Sequence, residues 1–430
     1  MRARRYGAAV ATASLALGLL VAACLVQMPQ QLGHAFAEQP AKPGGSQSAK
    51  TGQTERNKAG LDAGRLRPAD RIRLLAARRA AEWLFKANQP DGLFLPGIEP
   101  GFGQVVEPPA DQVIQQALAA AALARAARLL NEPRYAARSS QCILTLLVLT
   151  RADPHRPGTR TFVFASSQAS RLEAAACLVC AIQHLPQPGA DLHQAAQELA
   201  EYIRQMQQPD GLFLYRDDLP ADHPENQHSE AVLAACGRAC QALVLMPHKN
   251  EHGEALAKAC HQAYARWEKR PSLSASLLSR GLFECSGASA QAERELWAIN
   301  DWLTQMQYTV QAPQARWRGG FARGPADRTA PDVGGARAVG SLTYAARQAR
   351  SRGDTVRLRA YETALDEGVA FLISLQFTPA NMRQFAEWFQ PSVYGAFASS
   401  PATSLVRLDG HAEALWALLD YLEYSVSAGP

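Results

Sequence analysis

The heptapeptide Gln-Pro-Asp-Gly-Leu-Phe-Leu occurs twice in this chain, at Gln89–Leu95 and again at Gln208–Leu214. Each copy follows a segment with helical apolar spacing, Ala81–Asn88 in the first case and Leu199–Gln207 in the second. Proline cannot continue a helix, and Asp-Gly favours a tight turn. Each copy is therefore predicted to end a helix and to reverse the chain, with its aromatic residue packed back on the hairpin.

Two degraded copies follow after longer insertions. Gln307 is followed by Gly319-Gly320-Phe321, and Gln376 is followed by Gly395-Ala396-Phe397. Internal repetition on the scale of helical hairpins is typical of a closed or solenoidal array of one structural unit.

Apolar segments with a helical period and abundant Ala, Leu, Gln, Glu and Arg fill the chain beyond residue 66. Breaks rich in Pro, Gly and Asp separate them, and strand-like alternation is almost absent. The pattern predicts an all-α domain of twelve helices in six hairpins, near 68–89, 111–131, 133–150, 167–185, 190–208, 226–246, 251–268, 272–286, 290–308, 333–351, 354–376 and 403–424.

These segments fall into two alternating classes. Gln116–Ala127 and Ala231–Ala242 are rich in Ala and Cys and apolar around most of their circumference, which suits helices enclosed on all sides. Glu198–Met206 and Tyr361–Leu375 carry one apolar and one charged face, as expected for helices with a solvated outer side. The alternation predicts an inner ring surrounded by an outer ring.

A Gln-x-x-Asp-Gly-aromatic turn after each outer helix, repeated around twelve helices, resembles the α/α-toroid superfamily. That superfamily includes six-hairpin glycosidases, polysaccharide lyases, sugar epimerases, terpenoid cyclases and protein prenyltransferases. The resemblance covers nearly all of residues 66–425 and implies an (α/α)6 toroid with a funnel lined by the loops that lead into the inner helices. It is unspecific for chemistry, because such folds host unrelated reactions.

The N-terminus has the features of a targeting segment. A basic start, Met1–Tyr6, precedes the apolar run Gly7–Val26. Cleavage after Ala37, lipidation at Cys24 and retention as a membrane anchor remain open alternatives. Residues 1–37 are thus a signal peptide or membrane anchor, 38–65 a disordered linker and 66–430 the toroid domain. The expected location is periplasmic, or membrane-anchored and facing the periplasm or cell exterior.

Composition excludes several classes of protein. The 430 residues are 47% hydrophobic, as in globular proteins, and carry a net charge of +5 without a long basic run after the N-terminus, so nucleic acid is not expected as a partner. No phosphate-binding Gly-x-x-x-x-Gly-Lys loop, Gly-x-Ser-x-Gly elbow or His-Glu-x-x-His segment occurs, and no cofactor is predicted. The close acids Asp217-Asp218 lie in a loop, which disfavours a terpenoid cyclase.

Seven cysteines follow the targeting segment, an odd number that argues against a complete disulfide framework. Cys177 and Cys180 share one helix face, and so do Cys236 and Cys240. Free cysteine behaves as a small hydrophobic residue, so we interpret these pairs as core residues and predict no metal site.

The resemblance implies that polar residues at the starts of the inner helices face the funnel. Six such groups can be identified: Asp111, Gln112 and Gln115; Gln168, Arg171 and Glu173; Asn226, His228 and Glu230; Ser274 and Arg280; Asp332 and Arg337; and Arg407, Asp409, His411 and Glu413. Carboxylates, histidines and arginines in one funnel could supply an acid, a base and a clamp for an anionic sugar.

Asp409 and Glu230 are the predicted acid and base, with His411 and His228 as alternatives. Asp409 and Glu413 are four residues apart on one helix face, where mutual repulsion would raise one pKa. The competing interpretation is that these acids only favour the first turn of a helix, and that His228 and Glu230 form a cap.

Substrate binding is assigned to residues that can hold charge or stack on a sugar. Arg171 and Arg407 are predicted to bind charge, with Gln112 beside them. Trp317 and Trp388 lie in the two long loops and are predicted platforms for sugar rings.

Together these features predict an exported glycan-active enzyme, a hydrolase, lyase or epimerase, whose substrate is an envelope or extracellular polysaccharide. The alternative is a non-catalytic toroid that binds a glycan or a partner protein at the membrane through which its N-terminus is held.

Overall fold

The computed structural model describes residues 60–62, 64, 66–164, 169–227, 230–247 and 253–428. The predicted targeting segment and nearly all of the predicted linker lie outside the described residues. Leu61 already belongs to the folded body, because its amide donates to the Leu129 carbonyl at 2.8 Å and its side chain packs on the core.

The described residues form fourteen α-helices: α1 Pro68–Ala87, α2 Gln112–Leu129, α3 Pro133–Val148, α4 Arg171–His184, α5 Ala190–Gln205, α6 Pro224–Gln227, α7 Glu230–Leu245, α8 Gly253–Lys269, α9 Ser279–Ser286, α10 Ala290–Met306, α11 Ala336–Arg352, α12 Thr355–Ser374, α13 Gln390–Val393 and α14 Leu408–Ala428. They also form five short strands: β1 Gly97–Glu99, β2 Gln104–Val105, β3 Thr150–Ala152, β4 Arg160–Phe162 and β5 Val406–Arg407. Three 3-10 helices span Leu273–Leu278, Ala315–Trp317 and Val333–Gly335. None of the helices among these residues is long and apolar enough to cross a membrane.

The long helices form two concentric rings. The inner ring runs from α2 through α4, α7, the segment Leu273–Leu278 with α9, and α11 to α14, which packs against α2 and closes the circle. Helices α1, α3, α5, α8, α10 and α12 pack on the outside. The predicted all-α architecture of six hairpins in an (α/α)6 arrangement is confirmed.

Burial explains which helix lies where. Helix α2 is buried around nearly its whole circumference, from Ile114 to Leu129, because alanines and leucines occupy almost every position. Helix α5 buries one stripe that includes Ala196, Leu199 and Ile203 and keeps its charged side in solvent. One inner helix was predicted as continuous over 272–286, but it begins as a 3-10 turn, in which the Ser276 hydroxyl donates to the Leu273 carbonyl at 2.6 Å.

The four copies of the turn are structurally equivalent, including the two degraded ones. In each, a residue one or two positions beyond the outer helix pairs with the turn aromatic through a β-bridge: Asn88 with Phe94, Gln207 with Phe213, Gln307 with Phe321 and Gln376 with Phe397. In three copies the glutamine amide also donates to the turn glycine and to the next outer helix: Gln207 to Gly211 and Ala255 (both 2.8 Å), Gln307 to Gly319 (3.0 Å) and Ala364 (2.8 Å), and Gln376 to Gly395 (3.0 Å) and Ala76 (2.9 Å). The repeat therefore braces each hairpin against its neighbour.

Glycine is required in these turns because the chain is left-handed there and meets the next outer helix. The φ angle is +84° at Gly319 and +90° at Gly395. A Cβ atom on Gly319 would lie 2.1 Å from the Glu367 carbonyl oxygen, and one on Gly395 would lie 2.4 Å from that of Arg79. Any larger residue would push the outer helices apart.

The ends of the chain close the ring. Strand β1 pairs antiparallel with β2 and with β5, which leads directly into α14, while β3 and β4 form a separate hairpin. At the opposite end of α14, the buried Asp70 of α1 accepts hydrogen bonds from Tyr421 at 2.9 Å and Ser425 at 2.5 Å. Although burial opposes ionisation, these bonds and those from Arg67 and Arg73 lower the pKa of Asp70 to about 2.

Candidate functional site

Charged side chains line the axis of the inner ring in successive layers. The Arg337 Nε atom of α11 donates to Glu413 of α14 at 3.0 Å, and seven residues later the Tyr344 hydroxyl lies 3.4 Å from Asp420. The two contacts are seven residues apart on both helices, in the same order along the chain, so α11 and α14 run in the same direction. The loops that precede the inner helices thus share one end of the barrel, which we call the mouth.

An ionised carboxylate lies at the centre of the barrel. Glu413 is buried and accepts hydrogen bonds from Arg238 of α7 and Arg337 of α11. Burial alone would raise the pKa of Glu413, but the two guanidiniums outweigh it and hold the pKa below its ordinary value. The Arg337 side chain is 31% exposed, so part of its guanidinium faces the solvent of the barrel.

Glu173, nearer the mouth, is in the opposite electrostatic state. It lies in the first turn of α4, where the Ser170 hydroxyl accepts from its backbone amide at 3.3 Å. Glu173 is half-buried, so solvent reaches part of the residue. Within the described ranges, no hydrogen bond or ion pair engages its carboxylate.

Burial raises the pKa of Glu173, and the positive charges of Arg238 and Arg337 offset this only in part. The negative charges of Glu413 and Asp111 raise it further. The pKa values of the two glutamates are therefore shifted in opposite directions, which favours the protonated acid at Glu173 and the ionised carboxylate at Glu413. Such a separation is how proteins assign acid and base roles to similar groups.

A cleft of about 770 Å³ opens beside the mouth, between the segments 100–103, 374–389 and 398–404. Trp388 and Phe102 project from its rim, 79% and 78% exposed. Apolar residues share the rest of the lining with neutral hydrogen-bonding side chains: Asn381, Gln384, Ser400, Thr403 and Ser404. Exposed aromatic faces among hydroxyl and amide groups suit the C–H faces and hydroxyls of a sugar.

Comparisons with known proteins agree with this architecture. No family model and no curated protein matches the chain. An inactive variant of an α-1,6-mannanase from Salegentibacter sp. HEL1_6, in complex with α-1,6-mannotriose, superposes with a TM-score of 0.54 at 10% identity over 81% of this chain and 99% of that one. The chain is an α/α toroid.

Other solved toroids with different chemistry are equally similar. An unsaturated glucuronyl hydrolase specific for heparin has a TM-score of 0.53 at 12% identity over 82% of this chain and 98% of its own. A type II terpene cyclase from Scytonema has a TM-score of 0.50 at 12% identity over 83% of this chain and 99% of its own. At such identities the similarity establishes the fold, and the chemistry depends on the side chains of this toroid.

Two of the predicted charge-binding residues are held by local partners. Arg171 donates through Nε to the Phe164 carbonyl at 2.8 Å, and its Nη1 pairs with Asp217 at 3.1 Å. Arg407 pairs with Asp409 at 3.2 Å, and both side chains are about one-third exposed or more. Asp409 and Glu230 are the predicted acid and base, and no contact between them occurs in the part of the chain that the structure describes.

The remaining predicted residues of the mouth lie at helix starts. Glu230 is exposed at the first described turn of α7. A hydrogen bond from Arg323 to Asp332 raises the pKa of Arg323, and the nearby charge of Glu230 adds to this rise. Gln112 is half-buried at the first residue of α2. His228 lies outside the described residues.

His411 has a structural role, which corrects its predicted role as an acid or base. Its ring is completely buried against Trp83, with the centroids 4.4 Å apart. One ring nitrogen, Nδ1, accepts from the Phe397 amide at 3.4 Å and the other, Nε2, lies 3.0 Å from the Ala80 carbonyl oxygen. Burial lowers the pKa of His411 to about 3, an effect that the Ala80 carbonyl partly opposes, so the ring is neutral. Its hydrogen bond with Phe397 holds the fourth copy of the turn in place.

Replacing His411 with glutamine is expected to flatten the dependence of stability on pH. Gln116 already fills the corresponding place in the first turn, where its side chain accepts from the Phe94 amide and donates to the Phe94 carbonyl, both at 2.7 Å. In the wild type, the neutral ring contributes fully above the unfolded pKa of about 6.5, and this contribution disappears as pH falls towards the folded pKa.

Chemical denaturation between pH 7 and pH 3 measures the effect. The wild type should lose roughly 3 to 5 kcal/mol more of its free energy of unfolding than the His411→Gln variant. His193→Gln, at an exposed histidine of α5, should follow the wild type. Parallel curves for the wild type and His411→Gln would show that His411 does not titrate on unfolding.

The predicted role of Trp317 as a platform for a sugar ring is also corrected, because its ring is not exposed. Its side chain is only 7% exposed, and its ring packs 5.5 Å from that of Tyr308. The Trp317 carbonyl accepts from the Gly320 amide at 2.9 Å, so the residue is part of the third copy of the turn.

The seven described cysteines are buried, with free thiols. Among the residues with described positions, no group of three His, Cys, Asp or Glu side chains is placed to hold a metal ion.

Sequence reasoning named Glu173, Arg337 and Glu413 among the polar helix starts but did not select them, and it missed Arg238. The available signal for Arg238 was a charged residue in the middle of the apolar helix α7. A charged group in an enclosed helix needs a partner, and only the folded structure identifies it as Glu413 of α14.

Proposed function

We propose that the toroid is a glycan-active enzyme in which Glu173 donates the proton. The feature that supports this is a half-buried carboxyl group without an ion-pair partner among the described residues, whose pKa is raised by burial and by the charges of Glu413 and Asp111. A carboxyl group of this kind can stay protonated at a pH where an ordinary glutamate is ionised, which is the requirement for a general acid.

Asp111 is the proposed second carboxylate. It is exposed at the residue before α2, its charge acts on Glu173, and the Gln115 amide donates to it at 3.1 Å. Glu173 would protonate the leaving oxygen of a glycosidic bond, while Asp111 activates water or attacks the sugar directly. The pair comes from two adjacent inner helices and faces one mouth.

Arg337 is the proposed contact for an anionic group of the substrate. Glu413 fixes its Nε atom and leaves the rest of the guanidinium towards the barrel solvent. In hydrolysis it would position an acidic sugar, and in elimination it would neutralise the uronate carboxylate while a base removes the neighbouring proton. More distant sugars of a polysaccharide substrate would contact the predicted residues at the rim of the mouth: Asp409, Glu230, Arg171, Arg407 and Gln112.

The proposed substrate is an extracellular or envelope polysaccharide, and the proposed location is the periplasm or the outer face of a membrane. Both rest on the apolar N-terminal run Gly7–Val26. Two of the similar toroids, the α-1,6-mannanase and the heparin-specific glucuronyl hydrolase, act on glycans according to their names. They suggest α-mannans and glycosaminoglycans as the first substrates to examine.

A non-catalytic glycan-binding toroid is the second candidate, favoured by the cleft around Trp388. That cleft offers aromatic faces and neutral amides but no titratable side chain among its lining residues. Incubation of the purified protein with a panel of α-mannans, glycosaminoglycans and envelope polysaccharides distinguishes the two candidates. New reducing ends or unsaturated uronates from at least one glycan support the enzyme, whereas retained binding without any product supports the alternative.

Trp388→Ala is expected to weaken substrate binding without slowing the chemical step. One stacking contact is worth about 1 to 1.5 kcal/mol, so KM for an oligosaccharide should rise by roughly tenfold while kcat stays within about twofold. Val356→Ala, at a residue of α12 that is 79% exposed, is the control and should leave KM unchanged. An unchanged KM in Trp388→Ala would remove the cleft from the substrate path.

A further inference from the structure

A second group of charges lies deep in the barrel, at the end away from the mouth. Most of its members belong to the C-terminal halves of inner helices, whereas Arg280 lies in the first turn of α9. The group takes no part in the proposed chemistry. Its members are Arg125 and Arg128 of α2, His184 of α4, Arg280 of α9, Arg347 of α11, and Asp420 and Glu423 of α14. We call this group the basal cluster.

Arg125 uses only part of its hydrogen-bonding capacity there. Its side chain is 3% exposed, and its Nη2 atom pairs with Asp420 at 2.6 Å and with Glu423. Its Nε and Nη1 atoms are buried without a hydrogen-bond partner in the described portion of the chain. A buried guanidinium with unused donors carries a large desolvation cost unless an acceptor is present.

His184 faces the same space with both nitrogens unused. It is 2% exposed, its ring lies edge-on to Trp416 with centroids 5.0 Å apart, and neither nitrogen has a partner among the residues described. Burial lowers the pKa of His184 well below its ordinary value. The positive charges of Arg128, Arg125 and Arg280 lower it further, and the Arg125 guanidinium lies 5.2 Å from the centroid of the same Trp416 ring.

Arg280 completes the cluster and has no counter-ion of its own. Its Nε atom is buried without a partner, and no carboxylate pairs with its guanidinium across the described ranges. Phe283, one turn further along α9, packs with its ring 5.8 Å from Tyr344, which places Arg280 beside the layer of Tyr344 and Asp420. Its side chain is half-buried, so solvent reaches it inside the barrel.

The charges of the basal cluster do not balance. Four guanidiniums face two carboxylates, and the Nε atom of Arg347 is also buried without a partner in the region described. Buried donor atoms without an acceptor are unfavourable, and a single oxyanion could accept hydrogen bonds from several of them at once. The cluster has the composition of an anion site.

We propose that the basal cluster binds an oxyanion, a phosphate, sulfate or carboxylate group, held by Arg125, Arg280 and His184. The site is separate from Glu173 and does not depend on the proposed catalysis. The anion could be a free ion or an acidic substituent of a glycan that enters the barrel, since both present the same charged oxygens.

Thermal unfolding of the full-length protein tests the site, with inorganic phosphate compared against chloride at equal ionic strength. Saturating phosphate should raise the unfolding midpoint of the wild type by roughly 2 to 5 °C. In Arg280→Met this phosphate-specific rise should disappear. Without phosphate, the midpoint of Arg280→Met should equal or exceed that of the wild type, because a repulsive charge is removed and no ion pair is lost.

Two controls keep the result specific. Arg359→Met, at an exposed residue of α12, should respond to phosphate as the wild type does. Glu173→Gln should also respond as the wild type does, so a failure of the proposed catalysis leaves the anion site intact. A uronic acid trisaccharide replaces phosphate in a second series, and a rise that Arg280→Met abolishes there identifies an acidic glycan as the source of the anion.

A rise with phosphate alone identifies a free anion and equally supports the site. No rise beyond chloride with either probe, or a rise that persists in Arg280→Met, overturns the proposal.

Discussion

Glu173→Gln is expected to reduce kcat by roughly 10²- to 10⁴-fold on any glycan that the wild type cleaves. Glutamine keeps the size of the side chain but cannot donate a carboxylic proton. Since the carboxylate makes no ion pair or hydrogen bond in the described part of the chain, the substitution should not unfold the protein. Initial rates of product release, with circular dichroism as a check on folding, measure the effect.

The dependence of the rate on pH gives this prediction a second readout. Burial raises the pKa of Glu173 above its ordinary value of about 4.5, so the protonated form persists to higher pH. The wild-type kcat should fall as pH rises through this raised pKa, and the residual rate of Glu173→Gln should lack that descending limb. Glu254→Gln, at an exposed glutamate of α8, should keep the wild-type rate and profile. Full activity in Glu173→Gln would remove Glu173 from the mechanism.

Gly319→Ala is expected to destabilise the scaffold strongly. The positive φ angle of Gly319 costs an alanine about 1 to 2 kcal/mol. The added Cβ atom would also lie 2.1 Å from the Glu367 carbonyl oxygen, and the forced separation of the third turn from α12 adds about 1 to 3 kcal/mol. The free energy of unfolding should therefore fall by roughly 2 to 5 kcal/mol in chemical denaturation.

Gly158→Ala separates the two contributions. Gly158 also has a positive φ angle, +78°, but a Cβ atom there would meet nothing within 4 Å. Its alanine variant should lose only the conformational part, about 1 to 2 kcal/mol. Equal losses in the two variants would mean that the contact between the third turn and α12 contributes nothing to stability.

The sequence predicted the scaffold well because its determinants are local. The turn after an outer helix needs a proline or a glycine at a fixed place. The degraded copies keep the glycine and, at Gln307 and Gln376, an amide side chain like those of Asn88 and Gln207, although their intervening loops differ. Helix class followed from the apolar pattern of each segment alone. Neither inference required knowledge of which helices are neighbours.

The site could not be predicted in the same way because its electrostatics depend on distant partners. His411 looked like a titratable residue at the start of an inner helix, yet its state is set by Ala80, 331 residues away in sequence. Arg238 and Glu413 neutralise each other across 175 residues. Whether a carboxyl group is an acid, a base or half of an ion pair is decided by such contacts.

Trp317 and Trp388 show the same limit for aromatic residues. Both lie in long loops between an outer and an inner helix, and their local sequences are similarly rich in charge and aromatic rings. Trp317 is buried because its carbonyl is part of the third turn, whereas Trp388 remains on the rim of a cleft whose other wall is the distant segment 100–103. Sequence position alone gave no reason to separate them.

A crystal structure of the Glu173→Gln variant with a bound oligosaccharide substrate tests the central claim most directly. The account predicts a glycosidic oxygen within about 2.6 to 3.2 Å of the side chain at position 173, with Asp111 on the same stretch of sugar and Arg337 near any acidic group. An oligosaccharide that occupies only the Trp388 cleft, with no sugar at position 173, would contradict the assignment of Glu173 and support a toroid that binds glycans without cleaving them.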